Sequence, residues 1–317
     1  MTDADESGGT LPRVVVLMAT YNGMRWIDEQ IDSILVQRGV EVRLCISDDG
    51  SDDGTAGHVR TRARNDARIT VLPPRRGPRG VTANFIHLFT SWEPTDDVYV
   101  AFSDQDDIWH PDKLDRQIHL IDAYRADAVS SDVVSFDSHG RRRVIVKSQP
   151  QVKWDHIFEA GGPGSTYMFT PVMHRDLVRA LRGLDTTRVG VHDWFLYALT
   201  RGLGGRWHID PQPTVDYRQH GNNVQGENFG FLAFRTRLEH LRSGFYREQF
   251  RLTAGAVQQL ARSRCDVAYL KDLQALVLSL DSGSPSARLA VLRRFREIRR
   301  KRMEGFELGL SCVLGLW

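Results

Sequence analysis

VYVAFSDQDDIWHPDKL, residues 98–114, passes in one step from an apolar run to an acidic turn. Val98 to Phe102 reads as a buried strand. Asp104, Asp106 and Asp107 follow directly beyond its carboxyl end, before Ile108-Trp109 and Pro111. A helix runs on from Lys113 to about Arg125. Two carboxylates one residue apart after a strand can meet one ion, and hard cations such as Mg2+ and Mn2+ take oxygen ligands that they readily share with substrate phosphates. Taken alone, the same pair is equally a solvated acidic turn. Its position after an apolar strand gives it weight.

Outward from this stretch the chain alternates. Arg13 to Ala19 (RVVVLMA) is a Val-rich strand that ends at the turn Tyr21-Asn22-Gly23, and Ile27, Ile31, Ile34 and Leu35 set a helix over Trp26 to Gln37. Val42 to Ser47 is a second strand and stops at DDGSDDGT. Thr55 to Asn65 is helical, Ile69 to Leu72 a third strand, and the Pro/Gly/Arg loop PPRRGPRG leads into a helix over Val81 to Trp92. Downstream lie strands near Ala128 to Phe136, a mobile-looking stretch SHGRRRVIVKSQP, and the turn GGPGSTYMFT. Helices are expected over Arg175 to Leu184 and over VHDWFLYALTRG, then a strand-like run from Trp207 to Tyr217.

Strand–helix alternation predicts an α/β fold with a mostly parallel sheet between helices. Ligands of such sheets bind beyond the carboxyl ends of the strands. TYNG, SDDGSDDGT and SDQDD all sit there. No Gly-rich phosphate loop accompanies them, so the acidic rim suits a site where a cation mediates.

The chain has 317 residues, 41% hydrophobic and 26% charged, with a formal net charge of +2, which is ordinary globular composition long enough for a sizeable core. Cys45, Cys265 and Cys312 are odd in number and widely spaced, which points to a reducing compartment. Residues 1–12 read as a disordered lead-in with neither a basic start nor an apolar run. With no membrane-spanning stretch, a cytoplasmic protein is expected. From about Phe231 the pattern turns helical. Between Arg293 and Arg302 seven Arg and Lys residues face Glu297 alone, with Leu289, Leu292, Phe295 and Ile298 at helical spacing and GFELGLSCVLGLW after them. A basic amphipathic helix of this kind lies on a membrane surface. It also suits packing on the rest of the chain or on a second copy through the C-terminal helices.

VVVLMATYNG, ISDDGSDDGT, AFSDQDDIWHPDKL, GGPGSTYMF, VHDW and YRQHGNNV together resemble glycosyltransferase family 2 over roughly residues 13 to 223. SDQDDIW with YRQHGNN is most similar to rhamnosyltransferase-like enzymes of bacterial surface polysaccharide assembly. The resemblance implies the nucleotide-sugar-binding fold known as GT-A over residues 13–228, with residues 229–317 as a C-terminal helical region. It implies a nucleotide-diphosphate sugar donor, dTDP-rhamnose or else a UDP-hexose. The acceptor would be a glycan or lipid-linked glycan, which places the enzyme peripherally on the inner face of the cell membrane.

Carried over residue by residue, the resemblance puts Thr20 and Tyr21 at the nucleobase, Asp48 on the base N–H, Asp104 at the ribose and metal, and Asp106 with His220 on Mn2+ or Mg2+. Asp193, opening the helix of VHDW, would be the general base of an inverting transfer. His192, Trp194, Trp109, Ser165 and Thr166, with Gly164, fall on the acceptor side. Plainer roles compete with each: Tyr21 and Asn22 as turn formers, Asp48 as a helix cap, Asp107 as loop support and Asp193 as a helix-start carboxylate. A nucleotidyltransferase of similar architecture is a second reading. A nucleic-acid-binding role for the Arg-rich tail is a third, and it leaves the acidic residues without a purpose, so no nucleic acid partner is expected.

Overall fold

The computed structural model describes residues 10–220, 243–261 and 266–316. Most of the lead-in, the start of the C-terminal region at Phe231 and the end of the YRQHGNNV motif lie outside these residues. Seven strands form the main sheet, in the order β10-β6-β9-β4-β1-β2-β3. They are β1 (Arg13–Thr20), β2 (Glu41–Asp48), β3 (Ile69–Val71), β4 (Val98–Ser103), β6 (Ala128–Ser131), β9 (Met168–Phe169) and β10 (Trp207–Asp210). β1, β2, β3 and β4 run parallel, as do β6 and β10, while β9 is antiparallel to both β4 and β6. The sheet is therefore mostly parallel, as expected, with one short reversed strand between β6 and β4.

The all-apolar run of β1 follows from burial on both faces. Val15, Leu17 and Ala19 point to a core built with α3 (Val81–Ser91), α6 (Pro171–Arg182) and α7 (His192–Gly202). Val14, Val16 and Met18 point to the opposite core with α1 (Ile27–Leu35), α2 (Thr55–Asn65) and α4 (Lys113–Tyr124). A second sheet, β5-β11-β7-β8, joins Ile108–Trp109, Val215–Arg218, Val133–Phe136 and Arg142–Ile145. Two sequence readings change here. SHGRRRVIVKSQP contains the edge strand β8, paired with β7, its arginines turned to solvent. The run from Trp207 to Tyr217 is two strands in different sheets, because Pro211 and Pro213 interrupt it.

A third core gathers the short helix α5 (Asp155–Phe158) and α7 with the C-terminal helices α8 (Phe245–Ala261), α9 (Val267–Ser282), α10 (Pro285–Arg293), α11 (Phe295–Ile298) and α12 (Arg302–Val313). The basic amphipathic stretch is not one helix. It breaks at Arg294 and is extended at Arg299, between α11 and α12. The break lets Arg300 reach inward. Its side chain is 1% exposed, its guanidinium lies 3.2 Å from Glu159 and 3.7 Å from Asp155, and it donates to the Ala160 carbonyl at 2.7 Å. Asp155 in turn accepts from the Tyr197 hydroxyl of α7 at 2.8 Å. Breaking a buried pair leaves its partner charged and dry. Arg300→Met should therefore lower unfolding stability by about 3–5 kcal/mol, read as a fall in the urea midpoint; a change within error would show that the pair is dispensable.

Candidate active site at the acidic rim

Sheet register brings the three polar runs level. Thr20 pairs with Asp48, and Met18 with Ser103, so the turns after β1, β2 and β4 open on one rim. Thr20 Oγ1 donates to Asp48 Oδ2 at 2.8 Å, and Ser51 Oγ donates to the same oxygen at 2.6 Å. Asp48 Oδ1 accepts from the backbone N–H groups of Gly50 and Ser51. Asp48 thus closes its own turn with both carboxylate oxygens, the local role that competes with a nucleobase contact.

Gln105, passed over in the sequence as the spacer between two acids, ties the rim together. Its Oε1 accepts from the Tyr21 N–H at 2.8 Å and its Nε2 donates to the Tyr21 carbonyl at 2.9 Å. A Cβ at Gly23 would come within 2.2 Å of that Oε1, so only glycine leaves room for the clamp. Tyr21 itself stays half exposed. Arg75 and Arg79, in the loop PPRRGPRG, were also missed. Arg75 pairs with Asp49 at 2.5 Å, and the Arg79 guanidinium lies against Gly50. The signal that could have found them is three arginines in a Pro/Gly loop at the carboxyl end of β3.

Asp106 and His220 come together: His220 Nε2 lies 2.8 Å from Asp106 Oδ2, and Trp26 stacks on the imidazole at 4.1 Å. Arg218 latches β11 to the acidic turn, its backbone N–H on Asp107 Oδ1 and its Nε on the Asp106 carbonyl. Among the described residues no three His, Cys, Asp or Glu side chains converge as a complete metal cage. Two protein ligands suit a cation that completes its shell with donor oxygens and water, the usual habit of Mg2+. Asp104 and Asp107 lie beside this pair. Burial, with the Asp106 and Asp193 carboxylates beside it, pushes Asp104 up to about 8. Burial first, then Asp106 and Asp104, hold Asp107 well above the usual carboxylate range. Behind them, burial brings the Lys113 ammonium down to about 7 against the opposing pull of Asp107. Lys113 donates to Gln117, whose amide reaches the Thr166 carbonyl at 2.6 Å.

Asp193 lies in the first turn of α7, close enough to Asp104 for the two charges to repel. Burial raises its carboxyl to about 6, while hydrogen bonds from the Trp194 and Gly164 backbone and the Lys147 charge pull the other way. A Cβ at Gly164 would meet Asp193 Cβ at 3.2 Å and His192 Nε2 at 2.9 Å, so this glycine lets the turn 164–166 approach the acid. Burial depresses His192 to about 3, which keeps its imidazole neutral, stacked on Phe85 at 4.0 Å.

The remaining acceptor-side candidates divide. Ser165 and Thr166 are fully buried beneath the site, and the Thr166 hydroxyl donates to the Pro163 carbonyl. Trp109 and Trp194 are not available to stack on a sugar. Trp109 is 2% exposed in the core under α1 and α4, with Lys113 over its ring, and Trp194 packs on Phe250 and donates to the His156 carbonyl. A cleft of about 290 Å³ between the 184–189 turn and α8 lies apart from this rim. Its charges are already matched, Arg188 with Glu248 and Arg251 with Asp281.

Residues 15–175 match the family model of glycosyl transferase family 2. The chain is 32% identical over 306 residues to the dTDP-rhamnosyl transferase RfbG of Shigella flexneri, an alignment covering 95% of this chain and all of that protein. It is 30% identical over 220 residues to the succinoglycan biosynthesis protein ExoO of Rhizobium meliloti (strain 1021), covering 65% of this chain and 61% of that one. The fold is similar to that of Staphylococcus aureus TarS residues 1–349 in complex with UDP-GlcNAc, with a TM-score of 0.58 at 14% identity, over 96% of this chain and 89% of that one.

Gly23→Ala must displace Gln105, and Gln105→Ala removes the clamp outright. Each should weaken donor binding in titration, and the double variant should be no worse than the poorer single one. Additive losses would show that the two residues act separately.

Proposed function

This chain belongs to glycosyl transferase family 2, and on that premise we propose that it is an inverting transferase using a nucleotide-diphosphate sugar donor. dTDP-rhamnose is the donor favoured, by likeness to the RfbG protein along nearly the whole chain; a UDP-hexose is the alternative. The acceptor is a glycan or lipid-linked glycan met at the inner face of the membrane, with residues 13–228 as the catalytic region and 229–317 as the C-terminal one.

The observation that carries the mechanism is a dry carboxylate, Asp193, set across from the acidic turn with its affinity for a proton raised to near neutrality. A general base works best when its pKa lies near the working pH. Asp193 takes the proton of the acceptor hydroxyl as that oxygen attacks the anomeric carbon from the face opposite the diphosphate. Neutral His192 offers a nitrogen to orient the hydroxyl. On the donor side, Thr20 and Tyr21, with Asp48, meet the nucleobase, and Asp104 meets the ribose. Asp106 and His220 would hold Mn2+ or Mg2+, which when bound supplies positive charge to the departing diphosphate. The Gln105 clamp keeps the nucleobase turn and the acidic turn in fixed relation while the donor sits across both.

Asp193→Asn should lower kcat by about 10²–10⁴-fold with donor affinity retained, measured as sugar transfer beside donor titration. Unchanged turnover would remove Asp193 from the mechanism. Asp106→Ala should abolish stimulation by Mn2+ or Mg2+ and weaken donor binding. Since Asp193 must be ionised, and its pKa is raised rather than lowered, kcat/KM should climb with pH through about 6 and level off above. A profile flat from pH 5 to 8 would contradict that assignment.

A further inference from the structure

The seven cations of residues 293–302 are divided in two. Arg294, Arg299 and Arg300 turn inward, onto Asp272 and Glu297, onto Glu304 and the Phe158 carbonyl, and onto Glu159. Arg293, Arg296, Lys301 and Arg302 stay exposed. Beside these, α12 presents Met303, Phe306, Leu310 and Val313 at three- and four-residue spacing, continued by Leu314 and Leu316. Met303 is 68% and Leu314 65% exposed, the others 37–42%. On a helix of a globular protein such a stripe normally faces the core. Here it faces away.

The helix cannot roll to hide it. Its opposite side is Gly305, Gly309 and Cys312, all buried. A Cβ at Gly305 would lie 2.1 Å from the Phe295 carbonyl oxygen, and one at Gly309 2.9 Å from Leu292 Cα. Backbone-to-backbone contact with α10 and α11 therefore fixes which side points out. Cations flank the stripe along its length. Arg302 opens the helix beside Met303, the Arg296 guanidinium lies over the Phe295 ring at 5.3 Å, and that ring meets Phe306 edge-on at 6.0 Å. Arg288 lies against Gly315 at the far end. Glu307 is the exposed acid on this side, and Glu304 is engaged by Arg299 and Lys301.

We propose that this outer face of α12, with Arg288, Arg296, Lys301 and Arg302 at its edges, is the surface by which the protein lies on an anionic bilayer. The proposal rests on the reading above of an acceptor met at the membrane, and it narrows the contact from the whole basic stretch and its apolar end to one face of α12. Apolar side chains enter the interface while the flanking cations meet lipid phosphates. Two copies pairing through this face about a twofold axis would set the same cation-rich edges against each other, which favours lipid as the occupant.

The full chain is sedimented with vesicles of phosphatidylcholine alone or mixed with phosphatidylglycerol, at low and high salt. Wild type should pellet with the anionic vesicles and be released by salt. Phe306→Ser/Leu310→Ser and Arg296→Glu/Arg302→Glu should each lose about tenfold or more in binding, with circular dichroism, melting temperature and transfer to a soluble acceptor unchanged. Wild type left in the supernatant, or a Phe306/Leu310 variant that binds undiminished, would overturn the proposal. So would a wild-type dimer in light scattering that this variant converts to monomer, which assigns the stripe to a second copy. Wild type that pellets with anionic vesicles yet transfers no sugar would support the face and sink the enzymatic reading instead.

Discussion

Carboxylates drawn out of water at one end of a sheet are the constraint around which this molecule is arranged. Asp104, Asp107 and Asp193 are all held above the ordinary carboxylate range by burial, two of them further by neighbouring acids. Lys113 stands against this charge from behind, and Lys147 from the side of Asp193. Such a grouping costs stability, and it persists because the two large cores on either face of the main sheet supply rigidity that the rim does not. Sheet register then does the placing. Three parallel strands ending level bring turns remote in sequence to one edge, and α7, shared between two cores, brings the facing acid.

The first half of the fold was legible because its strands, β1 above all, are largely buried and so read as apolar runs, punctuated by Asn, Asp and Gly. Legibility failed where that rule failed. β8 is an exposed edge strand rich in arginine and reads like loop, and the run from Trp207 reads as one strand although two prolines divide it between sheets. At the site, the acids, His192, Asp193 and His220 stood out because their motifs are compact. Trp109 and Trp194 were misassigned because an aromatic beside a motif looks the same whether it faces a sugar or the core. Gln105 and Arg75 were invisible for a different reason. Their partners, Tyr21 and Asp49, lie 84 and 26 residues away, and nothing local marks a residue that acts through a distant backbone or ion pair.

The C-terminal region shows how charge density in a sequence can mislead. Its arginines suggested one helix with a basic face. The chain instead breaks twice, and the two breaks sort the cations. Arg294, Arg299 and Arg300, at the breaks, fold inward as structural ions, while Arg293, Arg296 and Arg302 on the helices and Lys301 at the start of the last one stay at the surface. Net charge alone carries no information about this division; the positions of nearby acids, Asp272, Glu159 and Glu304, decide it.

Glu159 and Arg300 are separated by 141 residues. During synthesis, the floor beneath α7 is made long before the cation that neutralises it. Until residues 299 and 300 arrive, Asp155 has Arg201 at 3.5 Å as a partner, but Glu159 must stay hydrated or take up a proton, and the third core cannot close over it. Loop-closure entropy over such a distance rises only slowly with length, so the delay is one of chain order more than of search. The helix that carries Asp193 therefore gains its final support last, and in a growing chain the floor beneath it stays unfinished until the C-terminal helices have docked.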